Sequence, residues 1–202
     1  VKSALRHSAV RRQSKHNGLL KDYTVTTRVT YQQTRDNLRA DKVRYGTWRH
    51  AGFWVTFCYR IRRLRKFGCL PWKLLLPLDI ALEFSRLLIS DTKIPSNMDV
   101  GPGLYLPHPT GVVINDSAVI GAEVDLFQQV TLGEWHGKAP VLDDGCKLFA
   151  GARAFGDVHI GKDAKIGANT VIQRDVPAQH VAYLDATKTR PRIDLASDKK
   201  AG

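Results

Sequence analysis

Two histidines in restricted surroundings are the first residues of this chain that suggest chemistry. His108 stands between Pro107 and Pro109 in LPHPTGVVIN, where two fixed φ angles hold the backbone that carries it. Imidazole changes charge close to neutral pH, so a histidine held in this way can take a proton from a hydroxyl and return it. His136 stands in GEWHGKAP, between Trp135 and Gly137 and two residues before Lys138. Either histidine is equally what an exposed turn would hold with no chemistry attached. Cys58, Cys69 and Cys146 are widely spaced and form no CxxC pair, which reads as three reduced thiols and argues against a disulfide framework or a zinc site. Neither Cys146 nor any serine lies in a nucleophile motif near His108, so covalent catalysis is not indicated.

The elements that must carry these residues follow from a period of six. From Ile94 the chain cuts into IPSNMD, VGPGLY and LPHPTG, then two extra residues at Val112 and Val113, then INDSAV, IGAEVD, LFQQVT and LGE. After an interruption at 134–141 it resumes as LDDGCK, LFAGAR, AFGDVH, IGKDAK, IGANTV and IQRDVP. The first position is always aliphatic, the second is often Gly and the fifth is usually small or Val. A fixed short period implies a solenoid, with short strands joined by tight turns and the first-position side chains stacked inward. Glycine in second place suggests a sharp bend there.

Upstream, the pattern is helical. Ala51, Trp54, Val55, Cys58 and Ile61 share one face, Gly68 and Pro71 end that helix, and a second helix is expected after Pro77 with Leu78, Ala81, Leu82 and Ser85 on one side. Residues 1–40 read as a basic extension, 41–92 as a helical region, 93–178 as the repeat domain and 179–202 as a tail. The net charge is +12, and residues 1–73 hold 18 basic against 3 acidic side chains. Arg60, Arg62, Arg63, Arg65 and Lys66 suit the negative end of a helix dipole and suggest a surface for anionic lipid. No apolar run reaches the roughly 18 residues of a membrane span. The first residues do not read as a secretory signal, so a cytoplasmic protein with peripheral membrane contact is expected.

These repeats resemble those of the hexapeptide-repeat acyltransferases, and LPHPTGVVIN, FQQVTLG and IGANTVIQRDVP are most similar to the serine acetyltransferase branch and related sugar O-acetyltransferases. The resemblance implies a mainly β fold, a left-handed parallel β-helix of about four coils behind a small α-helical cap, assembled as a trimer or a dimer of trimers. It implies acetyl-CoA as donor, with no metal, and His108 as the general base at the family's HxTG position. His136 is the candidate for a second family histidine, which lies just before the proline that resumes the repeat, where this chain has Ala139 before Pro140. Gly133, Ala150, Gly151 and Ala168 match small positions along which the family lays coenzyme A, and Lys165, Arg174, Lys188 and Arg190 are candidates for its phosphates.

Two departures bear on the acceptor. Pro107 and Lys93 occupy positions where the serine enzymes carry carboxylates, and a site that holds an ammonium needs negative charge. Asp91 or Asp116 would then have to orient His108. The expectation is therefore an acetyltransferase acting on a carbohydrate hydroxyl, as in cell-surface polysaccharide biosynthesis, with L-serine as the alternative acceptor. A γ-type carbonic anhydrase is disfavoured because His108, His136 and His159 do not supply the required pair five residues apart. A noncatalytic scaffold and a nucleic-acid-binding protein remain as other classes, although no specific nucleic-acid module is present.

Overall fold

A computed structural model describes residues 29–68, 77 and 90–184 with side chains, and 10–16 and 19–25 as backbone. The helix expected after Pro77, Cys69, Lys188 and Arg190 lie outside the described residues. Strands β1 (Val10–His16) and β2 (Leu19–Val25) form an antiparallel hairpin. Helix α1 (Tyr31–Tyr45) crosses the boundary expected at residue 40, so the basic extension contains regular structure. Thr30 caps α1 by accepting from the Gln33 N–H, and Gly46 closes it at φ 64°. Helix α2 (Ala51–Phe67) starts at His50, whose ring accepts from the Gly52 N–H, and closes at Gly68.

The period of six becomes three parallel sheets wound as a β-helix. The first contains β4 (Val113–Ile114), β7 (Thr131–Gly133), β10 (Arg153–Phe155) and β13 (Val171–Ile172). The second contains β3 (Asp99–Val100), β5 (Val119–Ile120), β8 (Val141–Leu142) and β11 (His159–Ile160). The third contains β6 (Asp125–Leu126), β9 (Lys147–Leu148), β12 (Lys165–Ile166) and β14 (Val181–Ala182). A further parallel bridge from Lys93 to Val113 carries the first sheet to five levels, one coil more than the repeats suggest. The regular step is eighteen residues, as in Val113 to Thr131 or Val141 to His159.

First-position side chains stack down the axis, with Leu106, Leu126, Leu148 and Ile166 fully buried in one column. Fifth-position residues such as Leu104, Val124, Cys146 and Ala164 fill the space between columns. Burying each large aliphatic contributes about 1.5–3 kcal/mol. The bend expected at second-position glycines lies two residues later. Gly103, Gly145 and Gly151, in fourth place, have φ near +70°, whereas Gly101 and Gly161 are needed for clearance. A Cβ on Gly101 would stand 2.5 Å from the Ala122 nitrogen of the next coil.

The helices close the open edge of the first coil. Lower down, the Ile120 carbonyl accepts from Gly101, and the Glu123 and Leu126 N–H groups donate to the Pro102 and Tyr105 carbonyls above them. Among the described residues, their counterparts twenty residues earlier have no coil above. The Gly103 N–H instead donates to Asp41 Oδ1 at 2.9 Å, the Leu106 N–H to Tyr45 Oη at 2.8 Å, and the Val100 carbonyl accepts from Arg60 at 2.6 Å. Arg63 donates to the Met98 carbonyl and pairs with Asp99, and Tyr59 also donates to Met98. Side chains thus replace an absent coil.

This corrects the reading of the basic helix. Arg60 and Arg63 are buried and face the solenoid, so the expected lipid surface from Arg60 to Lys66 does not exist as a continuous patch. The buried stripe also includes Phe53 and Tyr59, while Ala51, Trp54 and Ile61 are only half-buried. Unpaired carbonyls at the solenoid edge attract guanidinium groups more strongly than periodicity alone suggests. Among the described residues no helix is long and apolar enough to cross a membrane.

Candidate active site

Both histidines sit where the coil is enlarged at a corner. Tyr105 pairs with Asp125, a step of twenty, whereas the Gln129 N–H to Thr110 carbonyl bond already follows the step of eighteen. Leu106 keeps its core position, so the two extra residues fall within 107–109 rather than at Val112 and Val113. Val112 is fully buried as the fifth-position residue of its repeat. His108 is therefore pushed outward on a bulge between two prolines, at the corner joining the third sheet to the first, and is exposed. Its carbonyl accepts from the Thr110 N–H at 2.8 Å.

The bulge is laced to residues 90–93. Ser90 Oγ donates to the Pro109 carbonyl, Asp91 Oδ1 accepts from the Gly111 N–H at 2.6 Å, and the Lys93 N–H donates to the Val112 carbonyl at 3.3 Å. Asp91 thus binds backbone, and Asp116 accepts from Asn97 Nδ2 at 2.7 Å, so both carboxylates considered as partners of His108 hold other groups. Ser90 and the lacing role of Asp91 went unnoticed in the sequence. The run Ser90-Asp91-Thr92, three side-chain hydrogen-bonding residues just before the first repeat, was the available signal.

His136 lies at a different corner, between the first and second sheets. Thr131 to Gly133 pair with Arg153 to Phe155, a step of twenty-two, so four extra residues lie between 134 and 140. They form a small hairpin in which Trp135 and Lys138 exchange backbone bonds and His136 and Gly137 are the turn, at φ 53° and 73°. Two left-handed residues define the type I′ turn that suits a two-residue hairpin, and histidine tolerates that region better than most residues. Lys138 pairs with Asp157, and Trp135 stands over Gly156 and is 65% exposed. Beneath the hairpin is a cleft of about 820 Å³ walled by Trp135, Phe155 and Gln173.

The small residues expected along coenzyme A divide between these corners. Ala150, Gly151 and Ala168 lie in turns stacked below the His108 bulge, where Gly151 donates to the Gln128 carbonyl and Asn169 to that of Ala150. Gly133 and Arg174 belong to the His136 corner, and Lys165 lies exposed on the third sheet beside Lys147. The fold itself demands some of these glycines: a Cβ on Gly133 would strike the Phe155 ring at 2.4 Å, and one on Gly151 would meet Asn169 Oδ1 at 2.2 Å. One protomer does not bring His108 and His136 together. Among the described residues no group of three or more His, Cys, Asp or Glu side chains is placed to hold a metal ion. Burial pushes the Cys146 thiol up to about 12, so it stays protonated and unreactive at neutral pH.

No family model matches the chain. The serine acetyltransferase of Helicobacter pylori, however, is 36% identical over 116 residues, covering 54% of this chain and 68% of that protein. The chain belongs to the serine acetyltransferase family. The enzyme of this family from Synechococcus elongatus is 33% identical over 133 residues, covering 64% of this chain and 52% of that protein. The Haemophilus influenzae enzyme is 36% identical over 115 residues, with 55% of this chain and 41% of that protein covered. The chain thus spans about half the length of these last two relatives. A solved serine acetyltransferase in complex with CoA superposes with a TM-score of 0.64 at 26% identity, over 77% of this chain and 69% of that one. The Neisseria gonorrhoeae serine acetyltransferase in complex with serine gives 0.61 at 28% identity, over 74% and 66%.

These serine acetyltransferase relatives overturn the expected carbohydrate acceptor and, with it, the link to polysaccharide synthesis. The expectation rested on two aligned positions, Pro107 and Lys93. Pro107 lies where the corner departs from regular register, and Lys93 donates its backbone N–H to the Val112 carbonyl just beyond that corner. A side chain missing from an aligned position in such a turn does not determine the charge around the base.

Proposed function

We propose that this chain is an acetyl-CoA-dependent serine O-acetyltransferase, forming O-acetylserine, with His108 as its general base. The observation that carries the reading is the His108 bulge of a serine acetyltransferase-family solenoid, standing at the head of a corner column whose turns are kept small by Ala150, Gly151 and Ala168. The exposed imidazole takes the proton of the serine hydroxyl as its oxygen attacks the thioester carbonyl. Acetyl-CoA supplies the activated acetyl group. The same imidazole returns the proton to the departing thiolate, so the products are O-acetylserine and free coenzyme A. Lys165 and Arg174 are exposed cations suited to the phosphates.

A site that uses both histidines needs two copies of the chain, because His108 and His136 project from different corners. We therefore assign the working form to a trimer in which the Trp135–Lys138 hairpin of one copy reaches the His108 bulge of the next. Thiol release from acetyl-CoA with L-serine and, separately, with sugars and nucleotide sugars tests the reading. Serine-dependent turnover that falls about 10²–10⁴-fold in His108→Ala is expected. Turnover unaffected by that change removes His108, and none with serine removes the acceptor.

A further inference from the structure

Resting on the reading of His108 as base, we infer that Asp91 is a positioning residue, which sets the imidazole by holding the Gly111 N–H through its carboxylate. The bulge has few internal constraints of its own. Pro107 and Pro109 have no N–H to give, and the one bond within it is the narrow turn from the Thr110 N–H to the His108 carbonyl. Below, it is tied by the Gln129 N–H to the Thr110 carbonyl at 2.8 Å. Above, where the next coil would continue, the ties come from Ser90, Asp91 and Lys93.

The Asp91 bond differs from its equivalents. At the same corner one coil down, the N–H in the matching place belongs to Gln129, and its acceptor is a backbone carbonyl. At the bulge the acceptor is a side-chain carboxylate, 2.6 Å from the Gly111 nitrogen, and charge-assisted bonds of this kind are the stronger sort. Gly111 sits at φ 66°, a conformation open to glycine, and the anchor on its N–H lies three residues from His108. Ser90 adds a second tie at Pro109, the residue that follows the base, and its own Oγ accepts from the Thr92 N–H at 3.0 Å. Fixing Pro109 and Gly111 fixes the backbone from which the imidazole projects.

The inference separates an effect through the backbone from an effect through charge. Asp91→Asn keeps an oxygen for the Gly111 N–H and loses the charge, whereas Asp91→Ala loses both. Misplacement of a base by about 1 Å lowers turnover on the order of 10²-fold. Asp91→Ala should therefore lower kcat by about 10–100-fold with KM for serine and acetyl-CoA within about twofold, while Asp91→Asn keeps at least about a third of kcat. The pH profile of kcat/KM should keep its acidic limb in both variants. The Gly111 amide proton, followed by NMR in the full chain, should lose its hydrogen-bonded shift and exchange faster in Asp91→Ala alone.

Asparagine as damaging as alanine, with a displaced acidic limb, would show the carboxylate acting on the imidazole by charge and overturn the inference. So would a loss confined to KM, or full activity in Asp91→Ala. If the wild-type chain failed to acetylate serine, the functional reading would fall separately. The Gly111 amide and His108 ring signals would then decide whether Asp91 holds the bulge, and an unchanged pair of signals in Asp91→Ala would overturn it.

Discussion

Replacing Arg60 by methionine tests the substitution of side chains for an absent coil. The guanidinium donates to both carboxylate oxygens of Asp41, at 3.0 and 3.2 Å, and to the Val100 and Gly101 carbonyls, each at 2.6 Å. Asp41 has no exposed surface and Arg60 is 3% exposed. Methionine fills much of the space but leaves a buried carboxylate held by the Gly103 N–H, together with two carbonyls that lose their guanidinium donor. Breaking a buried pair from one side costs about 3–5 kcal/mol. Urea unfolding followed by far-UV circular dichroism measures the loss, and a cycle with Asp41→Leu isolates the coupling. Because the second change removes the stranded charge, the double variant should be less destabilised than the sum of the singles by about 2 kcal/mol. A loss below about 1 kcal/mol for Arg60→Met, or additivity across the cycle, would refute the reasoning.

Three further outcomes follow from the same structure. Burial, the largest cause in each case, pushes Tyr59 and Cys146 up to about 12 and Tyr45 higher still, from ordinary values of 10.0 for tyrosine and 9.0 for the thiol. The folded state therefore holds these protons more tightly than the unfolded chain, so their stabilisation is complete below about pH 9 and is lost as pH rises toward 12. Phenolate absorbance from Tyr45 and Tyr59 should appear only as circular dichroism is lost; its appearance in the folded protein would contradict this. Gly52→Ala should destabilise despite a helix-propensity gain of about 1 kcal/mol. The new Cβ would lie 2.1 Å from the Leu106 carbonyl, backbone that cannot yield without moving the segment that leads into His108. Thermal melting shows the sign, and an unchanged or raised midpoint would count against the contact. Finally, inactive His108→Ala and His136→Ala chains, mixed equally and reassembled, should recover about a quarter of wild-type sites if each site joins two copies. Full activity in His136→Ala alone would instead leave His136 as a turn residue.

The solenoid was legible because its stabilising side chains recur at a fixed spacing, from Val100 and Leu106 through Ile166 and Ile172. The position of the first insertion was less so. Val112, Val113 and Ile114 are all aliphatic, so hydrophobicity alone lets the register slide by two, and the ladder decides it through Val113 and Thr131. Arg60 and Arg63 were misread for a different reason. Their partners are backbone carbonyls and two isolated aspartates distant in sequence, which leave no pattern beside the arginines. At the candidate site, His108 announced itself through its prolines, whereas Asp91 acts on a peptide group twenty positions away. The acceptor was misjudged because two aligned positions stood in for the surroundings of the base.

The closed edge of the first coil also bears on the fate of the protein at high concentration. A parallel solenoid that ended in open strands would offer the same pattern of donors and acceptors as its own interior, and a second solenoid could dock end to end and continue it as a fibre. Asp41, Tyr45, Arg60 and Arg63 occupy that pattern with groups that no incoming strand can displace without stranding buried charge. Continuation of the ladder along the axis is blocked at that end.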